Sequence, residues 1–337
     1  MKHKGYTLTW EDNFDTLDLS VWTPQYGVKE NGRSRPEQVT VEDGKLVLTV
    51  QAYDPLDPAC PTCELYTADV RTQGQKVFGL GYYESSIKLQ TMKGFHTSFW
   101  LNSDDNLNCA NVCGEVCDAA VDGVEIDIYE YNVTFTDAEN PVAPVLFNNI
   151  YYDQYLVEPD CTEMVYKNEN NHYESNSLPT PIDVADGQYH TYGCLREANR
   201  TTFYIDGQMT YSTTDGNTST DLFIMCSLEG TDWANDFDPA DWANGETDAM
   251  YVDWVRYYSP VSLGEISIRE VLSNDDEWIY TSNGVDEFKI YLNGVFQADV
   301  AEITGSLYLI GTSQISGLPV SGRKLYEVTP KVIEMTT

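Results

Sequence analysis

Polar and apolar residues alternate with period two in short segments along most of this chain. VEDGKLVLTVQ (41–51), LGYYESSIKLQ (80–90), HTSFWLN (96–102), VEIDIYEY (124–131), FNNIYYDQY (147–155), HTYGCLRE (190–197), TTFYIDGQMTYS (201–212), LFIMCSLE (222–229) and AMYVDWVRYYS (249–259) carry the pattern. Such segments, rich in Val, Ile, Thr and aromatic residues, predict β-strands. Gly, Asn and Asp separate them, and Asp-Gly at 43–44 and 206–207 predicts tight hairpins. No long helical period appears. The expectation is an all-β fold, a β-jelly-roll sandwich with a curved sheet and cleft.

YYSPVSL, near residue 260, reads as a boundary, because beyond it the composition changes. Residues 261–337 hold no Cys and no His. Their segments EFKIYLNGVFQADV and SGRKLYEVTP resemble the later strands of a fibronectin type III or immunoglobulin-like module. The expected organisation is a large β-jelly-roll unit over 1–260 and a small accessory module over 261–337. The latter reads as a spacer or assembly module, or as a carbohydrate-binding one.

One strand breaks the rule. In VEIDIYEY the acids are Glu125, Asp127 and Glu130, and the last comes five residues after the first, where period two requires four or six. Burying three carboxylates without partners costs several kcal/mol each, so the triplet is expected to line a wet cleft. A one-residue β-bulge between 127 and 130 would return Glu130 to the face of Glu125 and Asp127. Two carboxyl groups about 5 Å apart serve a retaining glycosidase, one as nucleophile and one as acid and then base. A third keeps their working states apart. A calcium site or an acidic surface strand is the rival reading of the spacing.

The formal net charge is −35, which repels phosphate backbones and argues against nucleic-acid binding. It equally disfavours long-range steering of sulfated or carboxylated polymers, unless the cleft is locally basic. No run of 18 apolar residues occurs, so no membrane-spanning helix is expected. The N-terminal stretch lacks the apolar core of a signal peptide. The eight cysteines lean towards an oxidising, extracellular compartment. Cys60, Cys63, Cys109, Cys113, Cys117 and Cys161 lie in loop-like stretches suited to disulfides, with a zinc site as the rival. Cys194 and Cys226 lie in strands, as buried thiols or a cross-strand pair.

GVEIDIYE (123–130) resembles the E-x-D-x-x-E active-site strand of glycoside hydrolase family 16, in its bulged form. Other segments resemble the family in the same order. They are WEDNFDTLDLSVW (10–22), FGLGYYESSIKLQ (78–90), KGFHTSFWLNS (93–103), YHTYG (189–193), FYIDGQ (203–208) and MYVDWVRYYS (250–259). The resemblance covers roughly residues 7–259. It implies Glu125 as nucleophile, Asp127 as helper and Glu130 as acid/base. It also implies an endo-acting, retaining hydrolase of internal β-linkages in a polysaccharide. The chain departs from the family pattern at Asn13, Ser86, Tyr151 and Arg196, and the last two are expected near the sugar.

Sugar rings stack on aromatic side chains, so Trp100 first and Trp233 second are expected in the cleft, with core packing the rival reading of Trp100. His96, Tyr151, Glu229 and Arg196 complete the expected substrate set. His96 also suits an orienting role, and His190 packing behind the cleft. Tyr129 points away from the acids if the bulge precedes it. Arg33, Arg35 and Arg71 would read an acidic group if they reached the cleft. The resemblance further implies a structural calcium held by Asn13, the backbone of Gly44 and Asp253, with no catalytic cofactor. The substrate expectation is laminarin-type β-1,3-glucan first and a galactan of the agarase or porphyranase type second, an order that a basic cleft would reverse. The rival classes are a non-catalytic carbohydrate-binding protein on the same fold and a transglycosylase. A secreted monomer is expected.

Overall fold

The period-two segments form strands, and the Asp-Gly pairs turn them back. Asp43 and Gly44 have φ of 50° and 70°, and Asp206 and Gly207 have 47° and 72°. Both central residues are left-handed, as two-residue hairpins with native twist require. The computed structural model describes residues 6–29, 32–52, 65–91, 95–110, 112, 113, 115, 117–132, 145–153, 155, 156, 164, 165, 182–230 and 247–260, with the strand backbone of 266–269, 277–282, 288–292, 295–300 and 327–329.

In chain order the strands are β1 (Tyr6–Asp12), β2 (Thr23–Pro24), β3 (Gly27–Lys29), β4 (Gly32–Ser34), β5 (Val39–Glu42), β6 (Lys45–Ala52), β7 (Leu65–Arg71), β8 (Gly81–Lys88) and β9 (His96–Asn102). Two short helices follow, α1 (Asp104–Ala110) and α2 (Ala119–Asp122). Then come β10 (Glu125–Asn132), β11 (Val145–Tyr151), β12 (Tyr155–Leu156), β13 (Met164–Val165), β14 (His190–Glu197), β15 (Arg200–Ile205), β16 (Gln208–Thr213), β17 (Phe223–Glu229) and β18 (Thr247–Pro260).

One hydrogen-bonded path runs β11-β10-β9-β17-β7-β6-β18-β8-β14-β15-β16. The sheet curls back on itself. Tyr129 of β10 lies against Tyr192 of β14 with ring centroids 4.4 Å apart, although six strands separate β10 from β14 along the path. Its hydroxyl donates to Met250 Sδ on β18 at 2.9 Å. Between the two halves lies a shared core that includes Ile126, Ile128, Phe99, Leu101, Ile224, Tyr192, Phe203 and Val252. Alternate residues of each strand fill this core, so the intervening ones are left for the outer faces. The result is the jelly-roll sandwich the pattern predicts.

The chain divides into a compact unit of residues 8–258 and a second of residues 1–7 and 259–337. Among the described residues, the second holds a five-stranded antiparallel sheet. Its strands are β19 (Ile266–Arg269), β20 (Glu277–Ser282), β21 (Phe288–Leu292), β22 (Val295–Val300) and β23 (Glu327–Thr329), in the order β22-β21-β20-β19-β23.

Candidate active site

Strand β10 carries the bulge that its sequence implies. Against β11, Asp127 pairs with Asn149 and Glu130 with Phe147, so Ile128 and Tyr129 together oppose one residue. Both turn into the core, 1% and 0% exposed. The extra inward residue restores Glu130 to the face of Glu125 and Asp127. Gly123 feeds the strand at φ +90°, where a Cβ would meet the Ser103 side chain at 2.6 Å. That close approach lets Ser103 Oγ donate to the Asp122 carbonyl and ties the start of β10 to the end of β9.

The register sets the neighbours of the acids on this face. Asp127 lies opposite Trp100 of β9, Trp100 opposite Met225 of β17, and Met225 opposite Arg71 of β7. One row over, Glu130 lies opposite Ser98, Ser98 opposite Ser227, and Ser227 opposite Asp69. A further row holds Asn132, His96 and Glu229. On β11, Tyr151 lies opposite Glu125. Trp100 is half-buried and donates from Nε1 to Ser227 Oγ at 3.2 Å. Ser227 in turn shares a 2.9 Å hydrogen bond with Ser98.

Two asparagines hold the outer acids. Asn102 donates from Nδ2 to Glu125 Oε2 at 3.0 Å. Its own carbonyl accepts from the Ser103 amide at 2.8 Å and from Asn106 Nδ2 of α1 at 2.9 Å, so the amide has one orientation. Asn149 donates from Nδ2 to Glu130 Oε2 at 2.5 Å. His96 Nε2 lies 3.8 Å from Glu130 Oε1. Asp127 is 3% exposed between them. Sequence reasoning did not single out Asn102 and Asn149. The signal was present, since each is a polar residue at an outward position of its strand's alternation, but only cross-strand register shows which acid it meets.

The structure therefore gathers Glu125, Asp127, Glu130, His96, Trp100, Tyr151 and Glu229 on one face of adjacent strands. Trp233, Cys60, Cys63 and Cys161 lie outside the described residues. Arg71 joins the face at the far end of the Asp127 row, where its Nη2 bonds Asp69 Oδ2 at 2.6 Å. Arg33 and Arg35 stack on tyrosines, over Tyr26 at 4.9 Å and Tyr66 at 4.0 Å.

Arg196 is corrected. It shares its face of β14 with the core residues Tyr192 and Cys194 and is 2% exposed. Its guanidinium donates to the carbonyls of Gly79, Thr218 and Thr220 and to the Tyr83 hydroxyl. It ties a loop to the core and stands apart from the acids.

The calcium donor set does not fit the residues present. Asp253 Oδ1 is taken by the Lys45 ammonium at 2.5 Å, so a cation of the chain itself already neutralises the one carboxylate of the set. That contact holds the Lys45 ammonium above its usual range. Among the described residues no cluster of three or more His, Cys, Asp or Glu is placed to hold a metal.

Cys109 and Cys117 pair with Cα atoms 5.5 Å apart. Cys194 and Cys226 are separate buried thiols, and burial pushes the Cys194 thiol up to about 12. His190 bridges Asp206 at 2.7 Å and Asp186 at 3.2 Å and braces the hairpin turn at Gly207. No helix among the described residues is long and apolar enough to cross a membrane.

The chain is 23% identical over 266 residues to beta-porphyranase E of Zobellia galactanivorans, covering 74% of this chain and 86% of that one. Among solved structures it resembles a family 16 protein of Bacteroides ovatus solved with a G4G4G3G product (TM-score 0.56, 21% identity, 74% of this chain and 99% of that one). It also resembles the laminarinase catalytic domain of Thermotoga maritima (TM-score 0.55, 19% identity, 76% and 98%). The endo-β-1,3-glucanase of Pyrococcus furiosus is similar as well (TM-score 0.57, 20% identity, 76% and 95%). At these identities the structures speak for the fold. Residues 7–260 match the family model of the beta-porphyranase A–D GH16 domain, so the chain belongs to glycoside hydrolase family 16, in that porphyranase-type group.

Proposed function

We propose that this chain is a retaining endo-hydrolase of a β-linked galactan of the porphyran kind. The observation that carries the reading is the bulged strand, which sets Glu125, Asp127 and Glu130 on one face with an asparagine donor on each outer acid. Glu125 attacks the anomeric carbon as a carboxylate, a form that the Asn102 N–H favours. Glu130 protonates the leaving oxygen, then takes a proton from the water that releases the sugar. Asn149 donates to Glu130 Oε2, and we assign the working proton to Oε1. Asp127, between them, holds a negative charge near Glu125 and keeps the two outer acids in different states. The chain's own acids supply both proton transfers, so the mechanism calls for no cofactor.

The galactan reading rests on the porphyranase-type family model and on Arg71. That arginine stands on the same face as Trp100 and Asp127, ion-paired with Asp69 and about 14 Å from Asp127 at ~4.8 Å per strand. An anionic group several sugars from the scissile bond would compete with Asp69 for it. Laminarin-type β-1,3-glucan is the second reading, favoured by the net charge of −35. We read the enzyme as a secreted monomer, with residues 261–337 an accessory module.

Reducing-end release from porphyran, agarose and laminarin, with anomeric NMR of the first product, tests this. The reading predicts release chiefly from porphyran with a β product. Release from laminarin alone overturns the substrate, and an α product overturns retention.

A further inference from the structure

His96 stands beside two acids, the buried Glu229 and the partly exposed Glu130. On β17 it lies directly opposite Glu229, and on β10 opposite Asn132, one row from Glu130. Directly opposed side chains have Cβ atoms about 4.5–5.5 Å apart. Glu229 is 4% exposed and His96 is 4% exposed. The ring's Nε2 lies 3.8 Å from Glu130 Oε1. Asn149 already donates to the other oxygen, Oε2. The two oxygens of Glu130 thus meet different groups, Asn149 at Oε2 and His96 beside Oε1.

Among the described residues the register gives the charged groups nearest this position. Glu229 of β17 lies opposite His96, and Glu130 of β10 lies one row over, with Asp127 one row further. Asp69 of β7, with its partner Arg71, lies in the Glu130 row two strands from β9, while Glu125 and Tyr151 stand at the far ends of β10 and β11. Carboxylates outnumber cations, so an imidazole at this place is driven towards its protonated form.

We propose that His96 is a positioning residue, an imidazolium wedged between Glu229 and Glu130 that fixes the Oε1 side of Glu130 and favours its ionised form. The consequence lies in the second half of the reaction. Glu130 must give its proton to the leaving oxygen and then act as base towards water, and a cation behind Oε1 eases that first release. The same cation sets an upper limit to the pH range in which Glu130 still carries its proton. The proposal rests on Glu130 being the acid/base, as read above.

The experiment has two arms on the full chain. Imidazole NMR on the four histidines follows His96 in wild type and in Glu130→Gln, a near-isosteric change that removes the charge. Because coupling is reciprocal, the His96 midpoint should fall by about one pH unit in Glu130→Gln. The second arm measures kcat/KM against pH for His96→Gln and His96→Lys. The alkaline limb should move up by about one unit in His96→Gln and return towards wild type in His96→Lys, with kcat changed more than KM. A His96 midpoint unchanged in Glu130→Gln overturns the proposal and leaves the role of Glu130 intact. An unmoved alkaline limb in a folded His96→Gln also overturns it. A Glu130→Gln enzyme as active as wild type overturns the reading of Glu130 itself.

Discussion

Asn102 Nδ2 meets Glu125 Oε2 at 3.0 Å, and Asn102 cannot turn its amide, because its carbonyl accepts from Ser103 and Asn106. A fixed donor on a nucleophilic carboxylate both orients it and favours its charge. Hydrogen bonds to charged groups contribute about 1.5–3 kcal/mol. Asn102→Ala should therefore lower kcat/KM by roughly 10- to 100-fold and move the acid limb of the pH profile upward. Initial-rate assays across pH check this, and an unchanged acid limb would contradict the role given to Asn102.

Tyr129 is the residue that the bulge adds to the core. It is 0% exposed, lies 4.4 Å from Tyr192 and bonds Met250. Tyr129→Ala should cost about 3–5 kcal/mol of stability, as large-to-small changes at aromatic core sites do. Denaturant unfolding monitored by tryptophan fluorescence measures it. A loss under about 1 kcal/mol would show that the bulge is not anchored through this ring.

His190 predicts a pH-dependent stability. The bond from Asp206 holds its imidazole above the usual range against the opposing effect of burial. Burial opposes ionisation of Asp206, and the bonds from His190 and Thr191 outweigh it, so that carboxyl lies below its usual range. The His190 contribution is thus complete below about pH 6.5 and fades as pH rises through the raised midpoint. The Asp206 contribution is complete above about pH 3.9 and fades as pH falls through the lowered one. His190→Gln should be less stable than wild type at pH 6, and the gap should narrow by pH 9. Melting curves at both values decide it, and a gap that widens with pH would reverse the sign.

Lys45 predicts indifference to calcium. Its ammonium already sits on Asp253 at 2.5 Å. A bound calcium at about 100 times its Kd would stabilise by about 2.7 kcal/mol, enough to move Tm by several degrees. We expect Tm to be the same with calcium and with a chelator. A calcium-dependent rise would restore the Asn13, Gly44 and Asp253 set.

Much of this was legible in the sequence because strands write their faces in period two. The break in VEIDIYEY located the bulge, and the Asp-Gly pairs located the turns. What the sequence hid lies across strands. Asn102 and Asn149 meet Glu125 and Glu130 only through register, which one strand's pattern does not contain. Arg196 misled because a buried arginine satisfied by carbonyls and a cleft arginine look alike in sequence. Asp253 misled for a similar reason, since its partner Lys45 lies 208 residues away.

The central claim is that Glu125 and Glu130 carry the chemistry from one face of a bulged strand. Reducing-end release from porphyran by wild type, Glu125→Gln and Glu130→Gln tests it most directly. Removing an essential acid or base costs at least about 10²-fold in rate. The account predicts that both variants fold, bind the polymer and lose at least that much activity. Wild-type rates in either folded variant would contradict it.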